Sequence, residues 1–397
     1  MIDPARRRPL DQAPWTVAEA EVEIRAIIAD AAANFTPDRL WPAHPSDDGV
    51  SDGTAILYFG AAGVVWALDH LCERGYGSSG IDLAGLLPRL LERSDADYIE
   101  FAAPFPGYER HGSLLLGALG TALVAMRIVP DPGTADRIFE LCRANSALPV
   151  RELMWGLPGS MLAAVVMGAT TGEPRWRALF EEQAALVLAD LRDSALGPMW
   201  SQDLYGSVKP WLGAVHGFAG NAVPLLRGWH WLTRAQQARV EAAVTIVLQR
   251  TAVASDDGAN WPGVIGEPGD LCQHCHGAPG MVTTFADVPF SSPELEALMV
   301  AGGHFIWSVG PLAKGSNLCH GTVGNGYALL KLHRRTGDAV WLDRARAFAM
   351  TAIAQCREAR RALGRGRYSL WTGDLGLACY LADCITADPR FPTIDEW

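Results

Sequence analysis

The chain has 397 residues, 49% of them hydrophobic, and its 33 basic and 44 acidic residues give a net charge of −11. This composition supports a large buried core. The sequence lacks the basic stripe with which nucleic-acid-binding proteins follow phosphates, so a nucleic-acid partner is disfavoured. No run of about 18 uninterrupted apolar residues predicts a membrane span, and the polar start of the sequence predicts no secretory signal. A cytoplasmic protein is therefore expected.

A Gly-x-x-Gly step, usually followed by an apolar helical run, recurs seven times along the chain. The first glycines of the seven copies are Gly60, Gly117, Gly156, Gly217, Gly277, Gly321 and Gly373. Successive copies are 39 to 61 residues apart, which is roughly the spacing of helical hairpins in repeat proteins. Two glycines are expected where the first turn of a helix approaches another backbone so closely that a Cβ would not fit.

Amphipathic helices are predicted after and between the glycine steps, because apolar side chains recur there at three- and four-residue spacing. In chain order the clearest examples are 160–166, 236–248, 327–333 and 341–356. Clusters of Pro and Gly predict loops between them, for example at 130–133 and 267–270. Alternating apolar strands are hardly visible, so an all-α fold is expected.

Each repeat is predicted to contain two helices, with the glycine step at the start of the second. Seven such hairpins that close on themselves form an α/α toroid, which is a double-layered helical ring. An open solenoid is the alternative, but it needs polar capping repeats, and the last copy is as apolar as the middle ones. No break in composition and no flexible linker divides the sequence, so residues 1–397 are predicted to form a single domain.

Three glycine steps carry a histidine immediately before the first glycine, and two of these also carry a cysteine: His216, Cys275-His276 and Cys319-His320. In equivalent repeats these residues would meet at one rim of the ring, although they lie far apart in the sequence. Cys275, Cys319 and His320 would then offer two sulfurs and one nitrogen, a ligand set that suits a catalytic zinc with one open position. From residue types alone, buried residues with a structural role are the alternative.

Two other interpretations involve Cys272. Cys272-Gln-His-Cys275-His276 has the spacing of a c-type haem attachment site, but such attachment requires export, which the sequence does not predict. Cys272 and Cys275 could also form half of a structural zinc site, but no second pair has a similar spacing. Cys272 is therefore predicted to be a core or rim thiol.

Several motifs of the sequence resemble those of the lanthionine synthetase C-like proteins. The similar segments are the two zinc motifs at 275–280 and 319–327, the histidine step at 216–220, and a C-terminal signature at 368–376 and 390–392. The C-terminal signature is similar to that of the eukaryotic-type branch. The resemblance runs from about Ile56 to Phe391 in the order of the family's motifs.

The resemblance implies an α/α toroid with seven inner and seven outer helices. It also implies a Zn²⁺ held by Cys275, Cys319 and His320. The implied chemistry is addition of a zinc thiolate to the β-carbon of a dehydroalanine or dehydrobutyrine residue, which forms a thioether. The enolate that results needs a proton at its α-carbon.

His216 is the first candidate for this acid–base step, because the pKa of a histidine can lie near neutrality; a core histidine bonded to a carbonyl is the alternative. Lys314 is the second, because the resemblance places a lysine at this spacing before the metal cysteine, where it could stabilise an enolate. Without the resemblance, Lys314 would be read as a surface residue.

Glu152 resembles an acidic position of the family and could orient His216 or bind substrate. A solvated or salt-bridged glutamate is the alternative. His276 and Asn325 are predicted to contact substrate.

Two departures weaken the resemblance to dedicated peptide cyclases. His276 stands where those enzymes may carry tyrosine, and Leu271 stands where some of them carry arginine. Both departures favour the eukaryotic-type branch, which is associated with glutathione.

Four functions remain open. The first is addition of a thiol (glutathione or a peptide Cys) to a dehydroamino acid in a peptide or protein, and the second is intramolecular cyclisation of a dehydrated precursor peptide. The third is a non-catalytic scaffold that carries zinc and binds a partner. The fourth is a glycosidase, which needs two carboxylates about 5–10 Å apart, with Asp203, Glu152 and Asp374 as the possible suppliers.

Overall fold

The computed structural model describes residues 2–47, 50–105, 107 and 112–397. These ranges contain fourteen α-helices, which confirms the predicted all-α fold. In chain order the helices are α1 (Val17–Ala33), α2 (Ala61–Glu73), α3 (Leu83–Ala102), α4 (Ala118–Ile128), α5 (Pro132–Asn145), α6 (Leu157–Thr171), α7 (Pro174–Ala189), α8 (Phe218–Arg227), α9 (Arg234–Thr251), α10 (Ala278–Phe285), α11 (Pro293–Val309), α12 (Thr322–Thr336), α13 (Ala339–Leu363) and α14 (Asp374–Thr386). No helix in these ranges is both long enough and apolar enough to cross a membrane.

Each of the seven glycine steps starts a helix, as the sequence predicts. The first glycine is the N-cap residue of the seven even-numbered helices, α2 to α14. The second glycine packs against the neighbouring repeat. A Cβ on Gly120, for example, would lie 2.1 Å from the carbonyl oxygen of Leu114 and 2.9 Å from the side chain of Leu57 in the preceding repeat. Glycine is required here because of this close approach.

The seven glycine-step helices form a closed inner ring. Each packs against the next, and the last of them, α14, packs against the first, α2. Backbone hydrogen bonds also link the loops that enter these helices, and the bond from the Trp371 N–H to the Tyr58 carbonyl (3.4 Å) joins the seventh repeat to the first. The predicted toroid is therefore confirmed, because an open solenoid would leave its terminal repeats apart.

The odd-numbered helices form the outer layer. The first of them, α1, packs on the last inner helix, α14, and so contributes to the closure of the ring. Two short antiparallel hairpins, β1 (Gln202–Leu204) with β2 (Ser207–Lys209) and β3 (Val253–Ser255) with β4 (Gly258–Asn260), interrupt the helical pattern. The sequence does not predict them, because strands of only three residues are too short to show a recognisable apolar alternation.

The hydrophobic core is continuous through the inner and outer helices. Residues 389–397, the axial segment, add to it: Phe391 is fully buried and its ring stacks on His274, with ring centroids 4.2 Å apart. Thr393 accepts a hydrogen bond of 3.0 Å from the indole N–H of Trp371. That the chain forms one domain stays a prediction, which this continuous core supports.

Candidate active site

Both cysteines of the predicted zinc site stand two positions before the first glycine of their repeat, and this shared position brings them together. Cys275 and Cys319 occupy this position in successive repeats, and the backbone N–H of Cys275 donates a hydrogen bond of 3.3 Å to the carbonyl of Cys319. The two sulfurs and a ring nitrogen of His320 all lie within 4.8 Å of one another. The three residues that the sequence proposes as ligands are therefore neighbours, although their role as ligands stays a prediction.

This cluster has the donor types and the spacing that suit zinc. Sγ of Cys319 lies 3.4 Å from Nε2 of His320, close to the separation of about 3.5 Å expected for S and N ligands on one tetrahedral zinc. The thiols are buried and His320 is half-buried, so one side of the cluster remains accessible. Contacts behind the cluster orient it, as the amide of Gln273 donates to Cys275 Sγ (3.0 Å) and Asn317 Oδ1 accepts from the His320 N–H (2.8 Å).

The two buried thiols are electrostatically coupled. A hydrogen bond from Cys319 lowers the pKa of Cys275, so this thiol ionises first. Burial and the resulting thiolate of Cys275 then raise the pKa of Cys319. Two sulfurs that cannot easily ionise together without a cation are typical of a metal site.

Glu152 and His216 form an ion pair on the same rim, in the repeats that precede the cluster. Nδ1 of His216 lies 2.9 Å from Oε2 of Glu152, whose carboxylate is completely buried. The backbone N–H groups of Met154 and Trp155 also donate to this carboxylate. Burial opposes protonation of His216, but the hydrogen bond and the charge of Glu152 outweigh it and raise the pKa of the imidazole. The pair can therefore hold a proton to a higher pH than an isolated imidazole can.

His276 lies between this pair and the cluster. Its ring is half-buried, with its centroid 6.2 Å from that of His216, and its Nδ1 has no hydrogen-bond partner among the described residues. Burial is the largest influence on the pKa of His276 and lowers it. A Cβ on Gly213 would lie 1.9 Å from the carbonyl oxygen of Cys275 and 2.8 Å from Nδ1 of His276, so glycine is needed there to admit both the backbone and the imidazole of this segment.

Lys314 and Asn325 differ in exposure and in their contacts near the cluster. Lys314 is exposed in the loop before Cys319, and its positive charge lowers the pKa of that thiol, against the larger effect of burial. Asn325 is fully buried, and its amide donates a hydrogen bond of 2.9 Å to the carbonyl of Cys272. This contact holds the loop before Cys275, and the substrate role of Asn325 stays a prediction. Cys272 is a buried thiol, as the sequence predicts.

The structure adds a residue that the sequence reasoning missed. Tyr58 is buried, and its hydroxyl lies against the thiol of Cys319. Burial, followed by the charge of Cys319, raises the pKa of Tyr58. An alignment of the repeats on their first glycines would have found it, because Tyr58 stands two positions before Gly60, as Cys275 stands before Gly277.

A cavity of about 360 Å³ lies between the loop that leads to Cys319, at residues 313–317, and residues of the seventh repeat. Its charged lining residues are the basic Arg8, Lys314, Arg360, Arg365 and Arg367 and the acidic Glu358 and Asp374. Within the described ranges Lys314 and Arg365 form no ion pair; the guanidinium of Arg365 donates to the carbonyl of Ala43 (2.8 Å). The cavity therefore carries an excess of positive charge beside the loop that leads to Cys319.

Two curated proteins are similar to this chain. LanC-like protein GCL1 of Arabidopsis thaliana is 30% identical over 270 residues, which cover 61% of this chain and 57% of that protein. Glutathione S-transferase LANCL1 of Danio rerio is 30% identical over 200 residues, which cover 49% of this chain and 47% of that protein. The chain thus spans about half the length of these relatives, and both are eukaryotic LanC-like proteins, as the sequence predicts.

The fold resembles that of a solved cyclase. Nisin cyclase superposes with a TM-score of 0.57 at 13% identity, covering 92% of this chain and 94% of that one. This similarity supports the toroid and, at such low identity, the fold alone. Residues 156–396, more than half of the chain, match the family described as lanthionine synthetase C-like protein. The chain therefore belongs to the lanthionine synthetase C-like protein family.

Proposed function

We propose that this protein is a zinc-dependent enzyme that adds a thiol to a dehydroalanine or dehydrobutyrine residue and forms a thioether. The main observation behind the proposal is that a cluster of two thiols and an imidazole lies on the same rim of the helical ring as a carboxylate–histidine pair. The sulfurs of Cys275 and Cys319 lie within 4.8 Å of each other and of a ring nitrogen of His320, and the Glu152–His216 pair lies one repeat away. A thiol site and a proton donor are the two parts that such an addition needs.

Zn²⁺ held by Cys275, Cys319 and His320 would supply the Lewis acidity that keeps a substrate thiol ionised at neutral pH. In the reaction the thiol releases its proton to solvent, and a bond forms between sulfur and the β-carbon. The electrons of the carbon–carbon double bond shift towards the carbonyl oxygen, so that an enolate results, and His216 regains its proton from solvent after each turnover. His216, protonated beside Glu152, donates a proton to the α-carbon. Lys314 places a positive charge near the same loop, where it stabilises the negative charge that develops on the carbonyl oxygen.

The basic cavity favours glutathione over a peptide cysteine as the thiol. Glutathione carries two carboxylates, and Lys314 and Arg365 offer positive charges without an ion-pair partner in the described structure. Asn317 lines the same cavity and orients His320, so a thiol bound there would lie close to the cluster. The name of the Danio rerio relative, a glutathione S-transferase, agrees with this choice.

The proposed reaction needs a cellular compartment in which the substrate thiol stays reduced. The eight cysteines of the chain are all unpaired in the structure, which fits a reducing cytoplasm.

The Glu152–His216 pair near the thiols favours an enzyme over a zinc-bearing scaffold. A scaffold does not need a buried carboxylate that raises the pKa of a histidine.

Incubation of the protein with glutathione and a dehydroalanine peptide, followed by mass spectrometry, tests the proposal. The expected product is the peptide plus one glutathione. Cys319→Ala should abolish this product, and metal analysis should find about one zinc per wild-type chain, as a single three-ligand site requires.

Cys272→Ala is the matched control, since it also removes a buried thiol from the same region. Its adduct formation and zinc content should equal those of the wild type. Absence of adduct with the wild type, or equal rates for the wild type and Cys319→Ala, would contradict the proposed function.

A further inference from the structure

A band of aromatic side chains, none of which lines the basic cavity, borders the mouth of the ring. We call it the aromatic arc, and it consists of Phe59, Phe101, Phe105, Trp155 and Tyr205. Neighbouring rings contact one another, with centroid distances of 5.5 Å from Phe59 to Phe101, 6.4 Å from Phe101 to Phe105 and 5.2 Å from Phe105 to Tyr205. Trp155 packs behind them, and none of the five side chains carries a charge.

Both ends of the aromatic arc reach the candidate active site. At one end the ring of Tyr205 meets the imidazole of His216 edge-on, with centroids 6.2 Å apart. At the other end Phe59 contacts Tyr58, with centroids 4.5 Å apart, and the hydroxyl of Tyr58 lies against Cys319. The arc is therefore continuous with the surface on which the proposed reaction takes place.

Tyr205 holds an unusual backbone conformation at the tip of the β1–β2 hairpin. Leu204 pairs with Ser207, so Tyr205 and Gly206 form a two-residue turn, and their φ values are +55° and +77°. Asn-Gly is the preferred sequence in such a turn, because a residue with a large side chain is disfavoured at positive φ. The tyrosine ring is 48% exposed, and its hydroxyl accepts a hydrogen bond of 3.2 Å from the indole of Trp155. A strained residue that points an aromatic ring towards an active site is a candidate for function.

We propose that the aromatic arc binds an apolar or aromatic side chain next to the dehydroamino acid in the polypeptide substrate, so that Tyr205 determines which peptides react. This inference rests on the proposed function, because it concerns the second substrate of the same reaction. An addition between two molecules needs two binding surfaces on either side of the reacting atoms. The basic cavity suits the charged thiol, and the uncharged arc beside His216 suits the electrophile.

The contact geometry favours a side chain that packs against rings. The half-buried faces of Phe59, Phe101 and Phe105 and the exposed ring of Tyr205 offer apolar area and aromatic edges. An aromatic residue flanking the dehydroalanine would gain both apolar burial and ring–ring contacts, whereas a serine would gain neither. The dehydroalanine itself would then lie near His216, which donates the proton in the proposed mechanism.

Two dehydroalanine peptides that differ only in one neighbouring residue, Phe or Ser, test this inference. With saturating glutathione, the wild type should use the Phe peptide with a kcat/KM about five- to tenfold higher than the Ser peptide. Tyr205→Asn should bring this ratio close to one. Asparagine suits a positive φ, so the hairpin should fold at least as well, and a lost preference would reflect the lost ring.

Val208→Ala is the matched control on the same hairpin. Val208 is exposed on β2, opposite Asp203, and lies outside the aromatic arc. This variant should keep the preference for the Phe peptide. A wild-type ratio near one, or a ratio that survives Tyr205→Asn, would overturn the inference.

A binding measurement separates this inference from the proposed function. Unreactive peptides with alanine in place of dehydroalanine should bind the wild type about five- to tenfold more tightly when they carry Phe instead of Ser, and Tyr205→Asn should remove the difference. If this difference appears but no adduct forms, the proposed function fails while the binding role of the arc stands. If adducts form without any preference between the two peptides, the inference about the arc fails and the function stands.

Discussion

The ion pair between Glu152 and His216 determines when this site can donate a proton. Glu152 is completely buried, and its carboxylate accepts two backbone N–H groups as well as facing His216. A buried carboxylate held in this way stabilises the protonated imidazole next to it. Protonated His216 is the acid in the proposed reaction, so the activity should be lost as the pH rises through the pKa of this histidine.

Glu152→Gln should shift the loss of activity to lower pH. Glutamine keeps the shape and an acceptor oxygen but removes the charge that raises the pKa of His216. The variant should therefore lose its proton donor at a pH where the wild type still has one, with a rate at least about tenfold lower in that range. The measurement is kcat/KM for glutathione addition as a function of pH.

Glu173→Gln is the control for the loss of one negative charge. Glu173 is an exposed residue at the start of α7, paired with Arg175. Its substitution should leave the pH profile where it is. If kcat/KM of Glu152→Gln falls at the same high pH as that of the wild type, His216 is not the acid.

The sequence predicted those site residues that the repeat pattern places together. Cys275, Cys319 and His320 precede a first glycine, so equivalent repeats bring them to one rim. Tyr58 has the same position, but the sequence does not single it out, because tyrosine is not a typical zinc ligand. Arg365 could not be predicted, because only the tertiary fold brings its loop beside Lys314.

The glycine step is the element that builds the inner ring. It works because every second glycine lets the first turn of its helix lie against the loop of its own repeat, and six of the seven, all but Gly220, also lie against a side chain of the repeat before it. The seven inner helices were predicted for this reason, and their starts coincide with the first glycines. The sequence does not predict the two hairpins, because turn geometry determines them and no apolar pattern marks them. Tyr205, for example, has a positive φ, which its residue type does not indicate.

Gly120→Ala should destabilise the inner ring. The new methyl group would lie 2.1 Å from the carbonyl oxygen of Leu114, and neither this loop nor the helix can move without disturbing the neighbouring repeat. The expected loss is about 2–3 kcal/mol in the free energy of unfolding, measured by urea titration. Gly269→Ala is the matched control: its methyl group would meet nothing closer than 3.8 Å, so its effect should stay within about 0.5 kcal/mol. Equal stabilities for the two variants would show that the close approach at Gly120 is not required.

At the scale of the whole molecule, the axial segment connects the centre of the ring to the candidate metal cluster. Phe391 stacks on His274, which precedes Cys275, and contacts Trp371, whose carbonyl accepts a hydrogen bond of 3.1 Å from the Cys319 N–H. The segment is anchored by Asp395, which pairs at 2.5 Å with the buried ammonium group of Lys331 on α12. The position of both cysteines therefore depends on a segment distant from them in sequence.

Phe391→Ala should weaken both the fold and the binding of zinc. Loss of a fully buried phenyl ring should cost about 3–5 kcal/mol of stability, and the loosened His274 and Trp371 should lower zinc affinity by about tenfold or more. Phe348→Ala provides the comparison, because Phe348 is equally buried but stacks on Trp307 in the outer layer, away from both cysteines. It should lose similar stability and retain its zinc affinity, measured by competition with a chelator under conditions where both variants are folded. If the two variants bind zinc equally well, the axial segment supports the core without positioning the cysteines.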